Sequence, residues 1–275
     1  MKSPLSDLPL IVRRDHPDLR GHIDRLVRSE ELVSVLRGVL RWRGVEPTLE
    51  LLAAAVCAWN PRAVILGASA AALTWWPGLR PTRIDAAIRP PRSVPTWLRC
   101  TELSVPPTLV WERAGLRLAC PELSVLGMVE HQDASAICEA YRRRATTWAH
   151  LTEAMSLLPN RAGNQLRRRL VAISRDNPWS PLEMEAHQQL RGAGVKGWCA
   201  NHRVVLAGHT HFLDIAFPDH LLAIELDGWE THSSRDSFIS DRVRQNRLAT
   251  AGWAVLRYTS ATLHQLVPEV RKLLR

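Results

Sequence analysis

No apolar run in this 275-residue chain is long enough to cross a bilayer. The longest, from Ala63 to Trp76, is interrupted by Gly67 and Ser69 and falls short of the roughly 20 residues a spanning helix needs. A secretory leader is also missing, since the opening MKSPLSDLPLIVRR has no apolar core followed by small residues. Both absences lead us to expect a cytoplasmic protein without membrane contact. There is no C-x-x-C pair either. Cys57, Cys100, Cys120, Cys138 and Cys199 are odd in number and widely spaced, so reduced, mostly buried thiols are expected rather than a zinc site.

What is present fits a folded chain of more than one domain. Hydrophobic residues make up 46% and charged residues 23%, near globular averages, which argues against disorder or a collagen-like repeat. The length exceeds what one small core needs. The formal net charge of +9 is unevenly spread: residues 1–180 hold 25 Lys and Arg against 17 Asp and Glu, whereas residues 181–275 hold 11 against 10. A basic surplus confined to the N-terminal part fits a nucleic acid as partner, and a merely solubilising surface is the alternative.

The pattern from Asp18 to Trp42 predicts a short helix (20–29) followed by two β-prone runs, 32–36 and 39–42, joined through Arg37-Gly38. Helix then hairpin is the ending of a winged helix-turn-helix. On such a wing Arg25, Arg28, Arg37, Arg41 and Arg43 are candidate phosphate contacts, because guanidinium groups grip phosphate oxygens in pairs; a solvated arginine face is the plainer alternative. The run VRSEELVSVLRGVLRW resembles the wing of antitoxins that accompany abortive-infection systems. That resemblance implies DNA binding, and it raises a protein partner of toxin–antitoxin type. Residues 46–177 are expected to form a mostly helical middle α/β domain of the same antitoxin-like kind, with helices near 48–59, 122–131, 134–144, 148–158 and 161–174. Asn177-Pro178 marks the expected boundary to a third domain, 178–275.

In that domain Ser180-Pro181-Leu182-Glu183 is a helix start: a serine cap, proline at the first position and glutamate three residues after the cap. Strands near 202–207, 211–217 and 221–226 follow, then a helix (236–251), a strand (253–258) and a closing helix. The hairpin FLDIAFPDHLLAIELDG is the informative piece. Leu213, Ile215 and Phe217 alternate with Asp214; Leu222, Ile224 and Leu226 alternate with Glu225. A two-residue loop at Pro218-Asp219 pairs Leu213 with Ile224, which merges the apolar faces and sends Asp214, Glu225 and Asp227 to the other side; an odd loop would oppose core to acid. Converging carboxylates repel unless a cation neutralises them. Oxygen-only ligands suit Mg²⁺ or Mn²⁺, which activate water against phosphodiesters.

The combined motifs are Glu183 on a helix, Asp214, a ten-residue gap, Glu225-x-Asp227-Gly228, His232, Asp241-x-x-Arg244 and Gly252-Trp253-x-x-x-Arg257. Together they resemble an uncharacterised domain family related to the very-short-patch-repair (Vsr) endonucleases, within the PD-(D/E)XK nuclease superfamily. The resemblance implies an α/β (α+β) fold with a mixed sheet flanked by helices. It also implies a Mg²⁺- or Mn²⁺-dependent endonuclease acting on DNA, with Asp214 and Glu225 as metal ligands and Glu183 joining directly or through water. The superfamily's lysine, two residues after the second acid, is here Asp227, so His232 becomes the candidate for orienting water. Each role has a structural competitor: Glu183 as part of a capping box, Asp227 as a turn former, His232 as an exposed loop residue, and Asp241 with Arg244 as an ion pair on one helix face. A catalytically silent DNA-binding regulator is the alternative to the enzyme.

Overall fold

A computed structural model describes residues 4–129, 133–228 and 235–274. The chain divides into two compact units, Met1–Glu130 with Ala149–Asn164, and His131–Trp148 with Gln165–Arg275. These units do not follow the boundaries expected at 45/46 and 177/178. The N-terminal hairpin shares a unit with the middle sheet, and most of the helices just before 178 go with the C-terminal sheet.

The first unit opens with β1 (Leu10–Val12), α1 (Arg20–Arg28), β2 (Leu32–Leu36) and β3 (Val39–Trp42), whose strands form an antiparallel sheet in the order β1-β3-β2. One face of α1 supplies Ile23 and Leu26, which pack with Leu5, Ile11, Leu32 and Leu40. The helix-then-hairpin order matches the pattern read from the sequence, and Gly38 turns the hairpin at φ 80°, a backbone state with little cost only for glycine.

Up to residue 130 this unit continues with α2 (Leu49–Trp59), β4 (Val64–Leu66), α3 (Gly67–Thr74), β5 (Ile84–Ala87), β6 (Leu98–Thr101), β7 (Val110–Arg113), β8 (Leu116–Ala119) and α4 (Pro121–Met128). Its strands make a five-stranded mixed sheet, ordered β6-β5-β4-β8-β7. The middle region is α/β and mostly helical, as expected, and a sheet of short strands organises it. Strands β6, β7 and β8 have four residues each, too few for alternation to stand out among prolines that read as loops. Helices α3 and α4 meet through Gly67 and Gly127, where a Cβ on Gly127 would come within 3.2 Å of the Gly67 Cα.

The remaining elements are α5 (Ser135–Arg142), α6 (Trp148–Leu157), α7 (Asn164–Ile173), α8 (Pro181–Gly192), β9 (Cys199–Leu206), β10 (His209–Phe217), β11 (Leu222–Leu226), α9 (Arg235–Thr250), β12 (Ala254–Tyr258) and α10 (Leu266–Leu273). The sheet order is β12-β11-β10-β9, antiparallel except for the parallel pair β11 and β12, which needs the α9 crossover. From residue 181 onward the order is α-β-β-β-α-β-α, as the hydrophobic pattern predicts, within an α/β class.

Helices cover both faces of this sheet. On one face Ile215, Phe217, Leu222, Ile224 and Tyr258 pack with Ala186 and Leu190 of α8 and with Leu263, Leu266 and Val270. On the other, Leu213, Ala216, Ala223, Val204 and Trp253 pack with Leu248 of α9. Leu213 thus leaves the face of Ile215 and Phe217 to which strict alternation assigned it. The departure occurs beside Asn201, at φ 47°, where β9 runs on but no pair forms between Leu213↔His202 and Ile215↔Ala200. Between Phe217 and Leu222 the chain makes a 3-10 turn, Pro218–His220, and returns through Leu221 in the left-handed region. The loop is four residues long rather than two. The pairing accordingly slides to Ile215↔Ile224, Ala216↔Ala223 and Phe217↔Leu222, while the even parity that keeps apolar opposite apolar is retained. Among the described residues no helix is long and apolar enough to cross a membrane.

Candidate active site

With Ile215 opposite Ile224, Asp214 reaches the level of Glu225. There the two strands part. Asp227 N donates to Tyr258 O on the β12 side, so the neighbouring Leu226 N–H faces β10. It bonds the Asp214 side chain, Oδ2, at 2.8 Å. A carboxylate therefore stands in for a ladder carbonyl at the mouth of the hairpin. Burial raises the Asp214 pKa, against the pull of the Leu226 bond and of Arg244.

Glu225 is 5% exposed. Its Oε1 accepts from Arg244 on α9 at 2.8 Å, and the same Arg244 nitrogen donates to Phe212 O at 2.7 Å. Even so, burial and then the Asp214 charge push Glu225 up to about 7, outweighing the arginine. Glu183 behaves alike. Burial first and the Asp214 charge second push it up to about 7. It also does the local work the sequence suggests, for Ser180 Oγ accepts from Glu183 N at 3.1 Å and Glu183 Oε2 accepts from Trp179 N at 2.8 Å. This is a capping box that reaches one residue beyond the cap. The capping role weighed for Glu183 is therefore the one its bonds make.

The fourth acid is already matched. Arg257 grips Asp227 with two bonds, Nε to Oδ2 at 2.8 Å and Nη2 to Oδ1 at 2.5 Å, and Arg257 pairs in register with Glu225 across the parallel strands. A guanidinium thus lies beside position 227, two residues after Glu225. The Asp241–Arg244 ion pair weighed from their spacing is not made. Arg244 turns to Glu225, and Asp241 lines a cavity of about 10 Å³ shared with Glu225, Arg244, Gln245, Leu248, Val255 and Arg257. His232 lies outside the described residues. His211 is near Arg244 and Arg247; burial first, then those arginine charges, lower its pKa.

Sequence reasoning missed Arg244 as the partner of Glu225 and Asn201 as a neighbour of Glu183. It also missed the aromatic pair Trp179 and Phe212, whose ring centroids are 5.3 Å apart. The D-x-x-R spacing flagged Arg244, but only the packing of α9 on β11 reveals its target. In the other unit the five arginines of the expected wing separate into two groups. Arg41 donates to the carbonyls of Trp42, Arg43 and Val45, Arg43 pairs with Glu30 at 2.6 Å, and Arg28 bonds Asp24 O of its own helix. Arg25 and Arg37 are exposed and make no ion pair among the described residues.

No family model matches the chain, and no curated protein matches it. The resemblance of residues 178–275 to Vsr-related nucleases accordingly rests on the sequence motifs alone. Among the described residues no three His, Cys, Asp or Glu side chains surround a common point as a ready-made metal cage. Glu183 and Asp214 are each held by a backbone N–H, and Glu225 by Arg244. The chemistry of the donor set nevertheless suits a hard divalent cation. It consists of three carboxyls, all with raised pKa values and Asp214 acting on both others, with oxygen as the only donor atom.

Proposed function

We propose that residues 178–275 form a Mg²⁺- or Mn²⁺-dependent endonuclease that hydrolyses DNA phosphodiester bonds, and that the basic N-terminal part contributes DNA binding. The observation that carries this reading is the burial of Glu183 and Glu225 in the field of Asp214, where the hairpin strands part. Such a cluster weakens a fold unless protons or a cation neutralise it. Asp214 and Glu225 would hold the ion, with Glu183 third. A bound divalent ion supplies Lewis-acid stabilisation of the charge that develops on the phosphate.

The chain's own groups account for the rest. Arg257, bonded to Asp227 and in register with Glu225, adds positive charge on the side where the superfamily uses lysine; an arginine cannot take a proton at neutral pH, so its role is electrostatic. His232 is our candidate to accept the proton of the attacking water as its oxygen bonds phosphorus and the opposite P–O bond breaks. The test is cleavage of duplex, mismatched and single-stranded DNA and of RNA with Mg²⁺, Mn²⁺ or chelator, by wild type and Asp214→Asn. Metal-dependent cutting of DNA by the wild type alone is expected. A second reading, a DNA-binding module that does not cut, is favoured by the arginine pairs on Glu225 and Asp227, which give both acids a positive partner without a metal ion. Binding of the same DNA panel without any cleavage would select it.

A further inference from the structure

Among the described residues Arg244 is the one cation in direct contact with the acid cluster. Its Nη2 reaches Glu225 Oε1 at 2.8 Å, and the Glu225 side chain is 6% exposed against 27% for Arg244, so the buried acid is neutralised from the solvent side. Arg257 differs. It is gripped by Asp227 through two bonds, with exposures of 39% and 35%, and its direct partner is outside the cluster of Glu183, Asp214 and Glu225. The space beside Glu225 is nearly filled: the cavity bounded by Glu225, Arg244 and Asp241 measures about 10 Å³, barely the room of one water. A divalent ion and the Arg244 guanidinium therefore compete for one carboxylate.

Arg244 also has somewhere to go. Asp241 stands one turn earlier on α9, is exposed and lines the same cavity, and side chains three apart on a helix are neighbours. We propose that Arg244 is an exchangeable internal counter-ion, bound to Glu225 when the site is empty and to Asp241 when a divalent cation takes Glu225. The inference rests on the metal-binding reading given above. It gives a use to the Asp241-x-x-Arg244 spacing, which is right for an ion pair while Arg244 is bonded to Glu225. It also makes cation affinity a property of α9 as well as of the ligands. A protein whose competent state is populated a fraction of the time binds more weakly by that fraction.

The test is Mn²⁺ binding to the full chain by calorimetry and electron paramagnetic resonance, with no nucleic acid present. If Glu225 is latched about nine times in ten, Arg244→Met tightens Mn²⁺ about tenfold. It should also lower the melting temperature without metal, a deficit that closes as Mn²⁺ saturates. Asp241→Asn should act in the opposite direction, weakening Mn²⁺ about twofold, as befits an exposed helical pair. In the Arg244→Met background the Asp241→Asn effect should vanish. Arg244→Lys, which keeps the charge, should stay closer to wild type than Arg244→Met and guards against a misfolded methionine variant. Wild-type binding with unchanged affinity in both Arg244 variants overturns the exchange alone. So does an Asp241→Asn effect of equal size in both backgrounds, which is a field effect. Failure of wild type and variants alike to bind Mn²⁺ overturns the metal-binding reading and the exchange with it.

Discussion

Glu183→Gln should stabilise the metal-free protein at alkaline pH and leave it unchanged in acid. In the unfolded chain a glutamate ionises near 4.5; in the fold Glu183, 5% exposed, holds its proton up to about 7. Below about 4.5 both states are protonated and the group has no effect. As pH rises from there to 7 the unfolded chain releases its proton first, so stability falls, and above 7 the full penalty is present. A carboxyl that titrates near 7 instead of 4.5 carries a penalty of about 3 kcal/mol when ionised. Glutamine removes the charge at every pH, and its side-chain oxygen can still accept the Trp179 N–H bond that Glu183 makes. Calorimetry of chelator-treated protein from pH 4.5 to 8 is the assay. The variant should melt roughly 6–12 °C above wild type at pH 8, at 2–4 °C per kcal/mol for a chain of this size, and the two should converge at the acid end. Mn²⁺ should close most of the gap at pH 8 by stabilising the wild type. Parallel curves with a constant offset, or a variant that melts lower at pH 8, would refute the argument that Glu183 is buried at an electrostatic cost.

Asp214→Asn keeps an oxygen for the Leu226 N–H and removes the charge that raises both Glu183 and Glu225; melting without metal should hold or rise, and cleavage should be lost. A marked drop in melting temperature would make Asp214 structural. Arg25→Ala and Arg37→Ala should each weaken DNA binding and lower the salt slope by roughly 0.9 per lost phosphate contact, measured by fluorescence anisotropy at several salt concentrations. Arg41→Ala, whose guanidinium serves three carbonyls, should instead lower the melting temperature. Phe217→Ala, which empties a fully buried position between α8 and the sheet, should cost about 3–5 kcal/mol in denaturant unfolding.

The sheet of the second unit was legible because each strand of its hairpin carries a period-2 signal over several residues, and because burial forbids an odd loop. The loop length itself was not. Pro218-Asp219 looks like a two-residue turn, but the proline begins a 3-10 turn that only Leu221 in the left-handed region can end, so the register moves by two. That slide puts Asp214 level with Glu225 instead of Ala223. Leu213 misled for the opposite reason: its alternation is regular in sequence and is broken in space by the Asn201 irregularity on the neighbouring strand. Most strands of the middle sheet were hidden because three- and four-residue strands between prolines leave no periodicity to count; the strand-like piece around Ile84–Ile88 is β5. Arg244 could be seen as part of a motif but not as the partner of Glu225, because helical spacing describes neighbours on α9 and says nothing of the strand beneath it.

The parting of β10 and β11 leaves a natural spectroscopic probe. The Leu226 amide hydrogen points at a carboxylate oxygen, 2.8 Å from its nitrogen, where its sheet neighbours point at carbonyls. A charged acceptor makes a shorter and stronger bond than a neutral one, and the proton resonance of such an amide moves downfield with it. This one backbone signal should therefore follow the ionisation of Asp214 through a pH titration, and shift again when a cation draws on the same carboxylate. Asparagine at position 214 would leave the amide bonded but flatten both responses, so that the charge state of the site can be followed without substrate.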